Sequence, residues 1–239
     1  MTGFELQQTL TRHGRVSPPV AGLRPLRPET ACRLLNLVVA GAGLLLAAPA
    51  ILVVAALIKL TSRGPVLYSQ TRVGIDRRVP GQASTNQRRL EDRGGKLFTI
   101  YKFRTMDNRN GYGGAQVWAT KDDPRVTPVG RVLRRYRIDE LPQFFNVLRG
   151  DMNVVGPRPE QPAIFAQLRA AVPGYQERQR VPPGITGWAQ INQRYDSCID
   201  DVRRKVALDL EYVSRQSVLE DLKILARTVP VVLLRKGGW

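Results

Sequence analysis

The longest apolar run in the chain covers residues 34–58 and contains no charged residue. Asn36 is its only strongly polar side chain. A helix of this length can cross the hydrocarbon core of a bilayer. Each Leu, Ile or Val near the membrane centre favours insertion by about 0.3 to 0.6 kcal/mol. The pattern therefore predicts a membrane helix, with a buried helix of a soluble core as the alternative.

Two features of this run argue against a straight span. Pro49 lies in its interior, where proline removes a backbone hydrogen bond and costs about 3 kcal/mol. Basic residues also flank the run on both sides, and the positive-inside tendency would place both ends on the cytoplasmic face. These residues are Arg24, Arg27 and Arg33 before the run, and Lys59, Arg63 and Arg72 after it. We expect a re-entrant helix over residues 31–60 that kinks or breaks at Pro49, with a kinked span as the alternative.

The remaining chain divides at this helix. Residues 1–30 are polar, basic and rich in proline, which is typical of a mobile leader and not of a cleaved signal peptide. Residues 61–239 have the mixed pattern of one compact domain. Short β-like runs occupy residues 65–70 and 96–103, and a polar segment at residues 76–95 indicates a surface loop between them.

Helical signals dominate the second half of the chain. Thr127 and Pro128 form a helix start, and apolar residues then recur with helical spacing at residues 141–148, before a terminating Gly150. Further helices are predicted at residues 162–171, 197–212 and 217–234. The last of these is amphipathic, so it either rests on the membrane surface or packs into the core. The expected fold class is α+β, a monotopic membrane protein with amphipathic interfacial helices.

Charge and composition narrow the chemistry. The chain has 37 basic and 20 acidic residues among 239, a net charge of +17. This predicts an anionic partner, which could be nucleic acid, anionic lipid or a phosphorylated substrate. The only histidine is His13 and the only cysteines are Cys32 and Cys198, so no zinc site is indicated. A carboxylate is the leading candidate for a nucleophile.

One carboxylate pair lies among arginines. Asp139 and Glu140 precede the helix at residues 141–148, where they could simply cap that helix. Arg134 lies just over one turn earlier, and Arg158 stands between two prolines on a stiff turn. Arginine forks match phosphate oxygens in bidentate fashion. Lys102 and Arg104, alternating on one strand face, could join them, so the set predicts a diphosphate site.

The same surroundings suggest the state of the carboxylates. The helix N-terminus and the nearby arginines favour negative charge, so we expect Asp139 to stay ionised. Carboxylate oxygens together with substrate phosphates are the usual ligands of Mg²⁺, which needs few protein ligands. A Mg²⁺ requirement is therefore a hypothesis.

The chain contains several short motifs in a fixed order. Besides the apolar run with its central proline, they are SRGPV at residues 62–66, YKFRTM at 101–106, DELPQ at 139–143, NVLRGDM at 146–152, GPRP at 156–159 and PGITGWAQ at 183–190. In this order they resemble the motifs of the bacterial sugar transferase family, the monotopic phosphoglycosyl transferases. The resemblance extends over roughly residues 33–234. One departure is Ala48-Pro49 at the membrane break, where the family often has Ser-Pro.

The resemblance implies a specific reaction. Asp139 matches a catalytic aspartate that attacks the β-phosphate of a UDP-sugar, expels UMP and forms an aspartyl phosphosugar. Polyprenyl (undecaprenyl) phosphate then accepts the phosphosugar. Glu140 matches the second member of the dyad, with an acid/base or metal-positioning role, and Arg134 and Arg158 match phosphate-binding arginines. The resemblance also implies Mg²⁺, contact with membrane lipids, and a catalytic domain on the cytoplasmic face of the bacterial inner membrane.

Two other classes of function stay open at this point. A membrane-tethered nucleic-acid-binding protein would explain the net charge, although the sequence has no helix-turn-helix, zinc finger or aromatic-basic RNA motif, so we expect no nucleic acid partner. A lipid-diphosphate phosphatase would use the same aspartate but release phosphosugar into water.

Overall fold

The computed structural model describes residues 29–78, 92–107, 123–193 and 198–233. Two short 3₁₀ turns, Ile138–Glu140 and Tyr175–Arg180, supplement the helices and strands. In chain order these are α1 (Glu29–Thr61), β1 (Leu67–Val73), β2 (Leu97–Phe103), α2 (Pro128–Arg135), α3 (Gln143–Arg149), β3 (Asn153–Val155), α4 (Pro162–Ala171), β4 (Gly184–Thr186), α5 (Trp188–Asn192), α6 (Ile199–Arg215) and α7 (Val218–Leu233). The predicted α+β class is confirmed. Residues 1–28 of the predicted leader and 79–91 of the predicted loop lie outside the described residues.

Helix α1 contains the apolar run and is long and apolar enough to cross a membrane. Its 33 residues continue through Pro49 as one helix. The helix is therefore not broken at Pro49. At a rise of 1.5 Å per residue, a straight helix of this length would measure about 50 Å, well beyond the hydrocarbon core. Its middle is bare, since Leu45 and Leu46 are 77% and 82% exposed.

The first part of α1 is attached to the globular domain. The Arg33 guanidinium donates to the carbonyl oxygens of Val147 (2.6 Å) and Leu148 (2.7 Å), at the end of α3. Asn36 is buried and accepts a hydrogen bond from the backbone N–H of Val154 in β3. The one polar side chain of the apolar run therefore satisfies a strand N–H that would otherwise be orphaned.

The last part of α1 contacts the same domain. Val54 and Ile58 are buried in a cluster with Phe103 and Leu133. The Arg104 guanidinium donates to the carbonyl oxygens of Ser62 and Arg63, both at 2.8 Å. Both ends of α1 are thus anchored to one domain, while Leu45 and Leu46 near its centre are exposed.

The two sheets are small, and one strand of each contacts α3. Strands β1 and β2 pair antiparallel from Leu67 opposite Phe103 to Val73 opposite Leu97. Strands β3 and β4 pair in parallel, with Val155 opposite Thr186. Both predicted strands of the first sheet are confirmed, whereas the three-residue strands of the second were too short to show a period.

The predicted helices are confirmed in position to within a few residues. Thr127 caps α2 by accepting from the N–H of Gly130 (2.9 Å), and Gly150 ends α3 in the left-handed conformation. However, Phe145 is 52% exposed, while Gln143 and Asn146 are buried on the opposite side of α3. The apolar residues of α3 are therefore divided between the core, where Phe144 and Val147 pack, and the surface.

Helix α7 packs into the core, which was one of the two alternatives predicted for it. Its Ile224 is fully buried against Tyr212 and Val213 of α6, so one face packs into the core. Leu219 and Val229 are 63% and 57% exposed and form an apolar surface on the other side. Such a helix suits a protein that rests on lipid.

Replacing Asn36 with Ala should loosen α1 from the domain. The buried N–H of Val154 would lose its acceptor, which costs about 1 to 3 kcal/mol of unfolding free energy. Denaturant unfolding of the detergent-solubilised protein measures this. Asn192→Ala is a matched control, because both amides donate to the carbonyl four residues earlier, but Asn192 is on an exposed surface. Equal losses in the two variants would contradict the anchoring role of Asn36.

Candidate active site

The carboxylate pair lies in the 3₁₀ turn Ile138–Glu140, between α2 and α3. Arg137 enters this turn with φ 54°, and it is the one described residue other than glycine with a positive φ. A left-handed arginine is strained and persists only where surrounding contacts hold it. The turn buries both carboxylates, leaving Asp139 8% and Glu140 6% exposed.

Glu140 is enclosed by positive charge from three separate segments. Its Oε1 atom lies 2.7 Å from Lys102 Nζ of β2 and 3.3 Å from the Arg158 guanidinium. Its Oε2 atom lies 3.4 Å from the Arg137 guanidinium. Both oxygens are therefore occupied by cationic partners, and a buried carboxylate is tolerated only when it is paired in this way.

Asp139 differs from its neighbour. Within the described residues its carboxylate accepts no hydrogen bond and has no ion pair within 4.0 Å. The charges of Lys102, Arg134 and Arg158 act on it from farther away. Glu140 is thus held by three cationic side chains, whereas the Asp139 carboxylate has no such contact among the described residues.

The pKa values of the two carboxyls diverge accordingly. Burial opposes ionisation of Glu140, but the charges of Lys102, Arg158 and Arg137 outweigh it and hold its pKa well below the usual range. Burial, with the adjacent Glu140 charge, raises the pKa of Asp139 to about 6. The arginines lower the pKa of Asp139, as expected, but desolvation and the neighbouring carboxylate exceed their effect.

The other predicted residues do not all converge. Lys102 and Arg158 meet at Glu140. Arg134, half-buried on α2, is close enough to act electrostatically on both Asp139 and Asp123. Arg104 instead turns to the carbonyls that end α1, because β2 ends at Phe103 and strand alternation no longer directs the next side chain. The structure gives Arg104 a role in anchoring α1.

Two residues that organise the site were missed from sequence. Arg137 was visible only as one more arginine before the pair, and its left-handed backbone gave no signal. Asn146 is fully buried, accepts from the N–H of Tyr101 (3.1 Å) and donates to the carbonyl of Thr99 (2.6 Å). It joins α3 to β2 and so places Lys102 opposite Glu140.

The site can accommodate a hard cation only in a particular way. Among the described residues, no group of three or more Asp, Glu, His or Cys side chains could form a cage for a metal ion. Asp139 nevertheless offers a carboxylate without a protein partner, and Mg²⁺ commonly binds one or two carboxylates with substrate phosphates and water. The donor set fits Mg²⁺ held jointly by Asp139 and a bound diphosphate.

Comparison with known proteins identifies the family. The profile of the family described as "Bacterial sugar transferase" matches residues 28–235, which is most of the chain. The chain belongs to the bacterial sugar transferase family. The site described above, from Lys102 to Arg158, lies entirely within the matched region.

Several curated members of the bacterial sugar transferase family are similar to the chain. A UDP-N-acetylgalactosamine-undecaprenyl-phosphate N-acetylgalactosaminephosphotransferase of Aeromonas hydrophila is 43% identical over 190 residues, 80% of this chain and 40% of that protein. A UDP-glucose:undecaprenyl-phosphate glucose-1-phosphate transferase of Escherichia coli K12 is 41% identical over 206 residues, 85% of this chain and 40% of that protein. The protein of the same name from Caulobacter vibrioides is 41% identical over 209 residues, 87% of this chain and 71% of its own length. The chain thus spans less than half of the first two relatives.

Proposed function

We propose that the protein transfers a sugar 1-phosphate from a UDP-sugar to undecaprenyl phosphate, the first membrane step in the assembly of a bacterial glycan. The contrast between Asp139 and Glu140 carries this proposal. Asp139 is buried, unpaired within the described residues and surrounded by cations at a distance, whereas Glu140 is fully engaged. The names of the relatives agree, since they contain undecaprenyl phosphate as acceptor.

The proposed reaction has two displacements at one phosphorus atom. An Asp139 carboxylate oxygen attacks the β-phosphorus of the donor, the bond from that phosphorus to the bridging oxygen breaks, and UMP leaves with the oxygen. A phosphate oxygen of undecaprenyl phosphate then attacks the same phosphorus and releases the Asp139 carboxylate. The covalent intermediate allows a soluble donor and a long lipid acceptor to use one site in turn.

The basic residues of the site have separate tasks in this reaction. Arg158 and Arg134 bind donor phosphate oxygens, because guanidinium forks match them and stabilise charge that develops during transfer. Lys102 is already committed to Glu140, 2.7 Å away. Glu140 serves as the counter-charge that holds Lys102 and Arg158 in place. With its pKa held low by these cations, it is poorly suited to act as a general base near neutral pH.

The two anchored ends of α1 support a particular arrangement in the membrane. We propose that α1 enters and leaves the same face of the bacterial inner membrane, with the catalytic domain in the cytoplasm. Arg33 near its start and Ile58 near its end both contact that domain, and the exposed centre around Leu46 would lie in lipid. This holds the site near the headgroups, where undecaprenyl phosphate presents its charge.

Substituting Asp139 with Asn should abolish transfer. The amide keeps the shape of the side chain but cannot form the acyl phosphate, so we expect a loss of at least about 1,000-fold in turnover. The measurement is transfer of radiolabelled sugar phosphate to undecaprenyl phosphate. The donors begin with UDP-glucose and UDP-N-acetylgalactosamine, whose sugars occur in the names of relatives.

The controls separate this function from its alternatives. Asp200→Asn removes a carboxylate of similar size from an exposed ion pair with Arg203 and should leave transfer unchanged. Glu140→Gln should lower transfer while still permitting the intermediate to form. Turnover retained in Asp139→Asn would refute the nucleophile. Release of phosphosugar into water without lipid acceptor would indicate a phosphatase, and nucleic acid binding that survives Asp139→Asn would favour a nucleic-acid-binding protein.

Removing divalent cations should also stop transfer. When bound by Asp139 and the donor phosphates, Mg²⁺ would offset the negative charge on the transferred phosphate. We expect activity to disappear after exhaustive chelation and to return with added Mg²⁺ in the same transfer assay. Activity that persists without divalent cations would refute the Mg²⁺ proposal and leave the aspartyl mechanism in place.

The membrane arrangement predicts a labelling pattern. In a background with Cys32→Ala and Cys198→Ser, single cysteines at Thr30 and Arg63 should react with a membrane-impermeant maleimide from the same side of sealed vesicles. A cysteine replacing exposed Asp200 reports the face of the catalytic domain, and one replacing Leu46 should be protected by lipid. Labelling of positions 30 and 63 from opposite sides would replace the re-entrant helix with a kinked span.

A further inference from the structure

The loop that carries Arg158 is held by its backbone oxygens. Pro157 and Pro159 have no N–H, so this stretch has few donors of its own. Each of its four consecutive carbonyl oxygens accepts a hydrogen bond instead. The donors are Gly184 N to Pro157 O (2.9 Å), the Arg178 guanidinium to Arg158 O (3.1 Å), the Arg72 guanidinium to Pro159 O (3.1 Å) and Val73 N to Glu160 O (2.9 Å).

Two of these donors are arginine side chains, and they contact consecutive carbonyl oxygens, those of Arg158 and Pro159. We call Arg72 and Arg178 the carbonyl clamp. They come from β1 and from the 3₁₀ turn Tyr175–Arg180, which are far apart in sequence. Both contacts therefore join the loop to segments that are distant in sequence.

Arg178 is the more deeply buried member of the carbonyl clamp, with no exposed surface. Its guanidinium contacts Asp209 at 2.7 Å and donates to the Tyr175 hydroxyl at 2.8 Å, while stacking over the Tyr175 ring at 5.0 Å. A buried arginine is costly unless its donors are satisfied. Asp209 and Tyr175 use part of its fork, and the Arg158 carbonyl takes the remaining direction.

Glu160 ties the carbonyl clamp together. Its carboxylate lies 3.9 Å from Arg178, 4.0 Å from Arg72 and 3.1 Å from Lys205 of α6. Because Glu160 belongs to the same loop, the loop supplies both a counter-charge for the carbonyl clamp and the carbonyls that it grips. Glu160, the carbonyl clamp, Lys205 and Asp209 therefore form one ionic network that supports the loop.

This ionic network supports the loop from which the Arg158 side chain extends. The Arg158 side chain is 32% exposed and reaches Glu140 at 3.3 Å, so side-chain packing alone does not fix it. Its direction depends on the backbone from which it extends. A displacement of about 1 Å in a group that positions substrate can cost about 100-fold in rate.

We propose that Arg178, assisted by Arg72, is a positioning residue that sets the direction of Arg158 towards the donor diphosphate. This rests on the proposed function, in which Arg158 binds that diphosphate. Arg178 is buried and does not touch the substrate. It acts through the Arg158 carbonyl, and the rigidity of the loop is the property that it controls.

A double-mutant cycle with Arg178→Lys and Arg158→Lys tests this role in the transfer assay. Lysine keeps the charge beside Asp209 but lacks the planar fork that reaches Asp209, Tyr175 and the carbonyl together. We expect Arg178→Lys to lower kcat/KM about 10- to 100-fold. It should divide the loss between kcat and KM as Arg158→Lys does, and the double variant should be no worse than Arg158→Lys alone. Losses that multiply would overturn the proposal.

Arg72→Lys provides a second route to the same test if Arg178→Lys fails to fold. Arg72 is partly exposed, at 17% of its side chain, and donates to the next carbonyl along the loop. Its effect should also be non-additive with Arg158→Lys. The control is Val206→Ala, which removes core packing in α6 and should lower stability without changing this pattern of kcat/KM losses.

An activity-independent measurement separates this proposal from the proposed function. Hydrogen–deuterium exchange of the peptide covering residues 153–163 should be faster in Arg178→Lys than in the wild type, and unchanged in Val206→Ala. If the wild type transferred no sugar phosphate, the proposed function would fail. The positioning role of Arg178 would still be decided by the exchange data and by the double-mutant cycle of Arg178→Lys and Arg158→Lys measured on UDP binding. Unchanged exchange of this peptide in Arg178→Lys would overturn it.

Discussion

The structure depends on neutralising one buried carboxylate. Glu140 is 6% exposed, and a charge in such a place is tolerated only when cations and hydrogen bonds replace water. Its partners Lys102, Arg137 and Arg158 come from β2, from the entry to the 3₁₀ turn and from the loop after β3. Folding must bring these segments together to bury Glu140. The contacts that close the fold therefore also assemble the proposed phosphate site.

Arginine contacts to backbone carbonyls recur in the described parts of the molecule and join elements that are far apart in sequence. Arg33 satisfies the last carbonyls of α3, where a helix leaves acceptors unpaired, and Arg104 satisfies those of Ser62 and Arg63 directly after α1. Through these two contacts α1 is fastened to α3 and to the segment that follows β2. Some of the basic residues behind the net charge of +17 therefore hold the fold together, in addition to any attraction to anionic lipid.

The sequence predicted local features better than long-range ones. The apolar run, the strands at residues 65–70 and 96–103 and most helix positions followed from period and capping. The buried face of α3 did not, because periodicity cannot distinguish side chains that face a core from those, such as Phe145, that face lipid or solvent. The roles of Arg104, Arg137 and Arg178 were also hidden, since each depends on a partner set by the fold. The raised pKa of Asp139 required its burial to be known.

The different surroundings of the two carboxylates suit the proposed double displacement. Asp139 must attack phosphorus in the first half and leave it in the second, so neither a very weak nor a very strong base would serve both steps. Burial and the adjacent Glu140 charge raise its pKa above that of an ordinary aspartate, in the direction of the second pKa of a phosphate monoester, about 6. UMP and undecaprenyl phosphate are both such monoesters. In the proposed reaction the difference in basicity between Asp139 and these two phosphates is therefore smaller than it would be for an exposed aspartate.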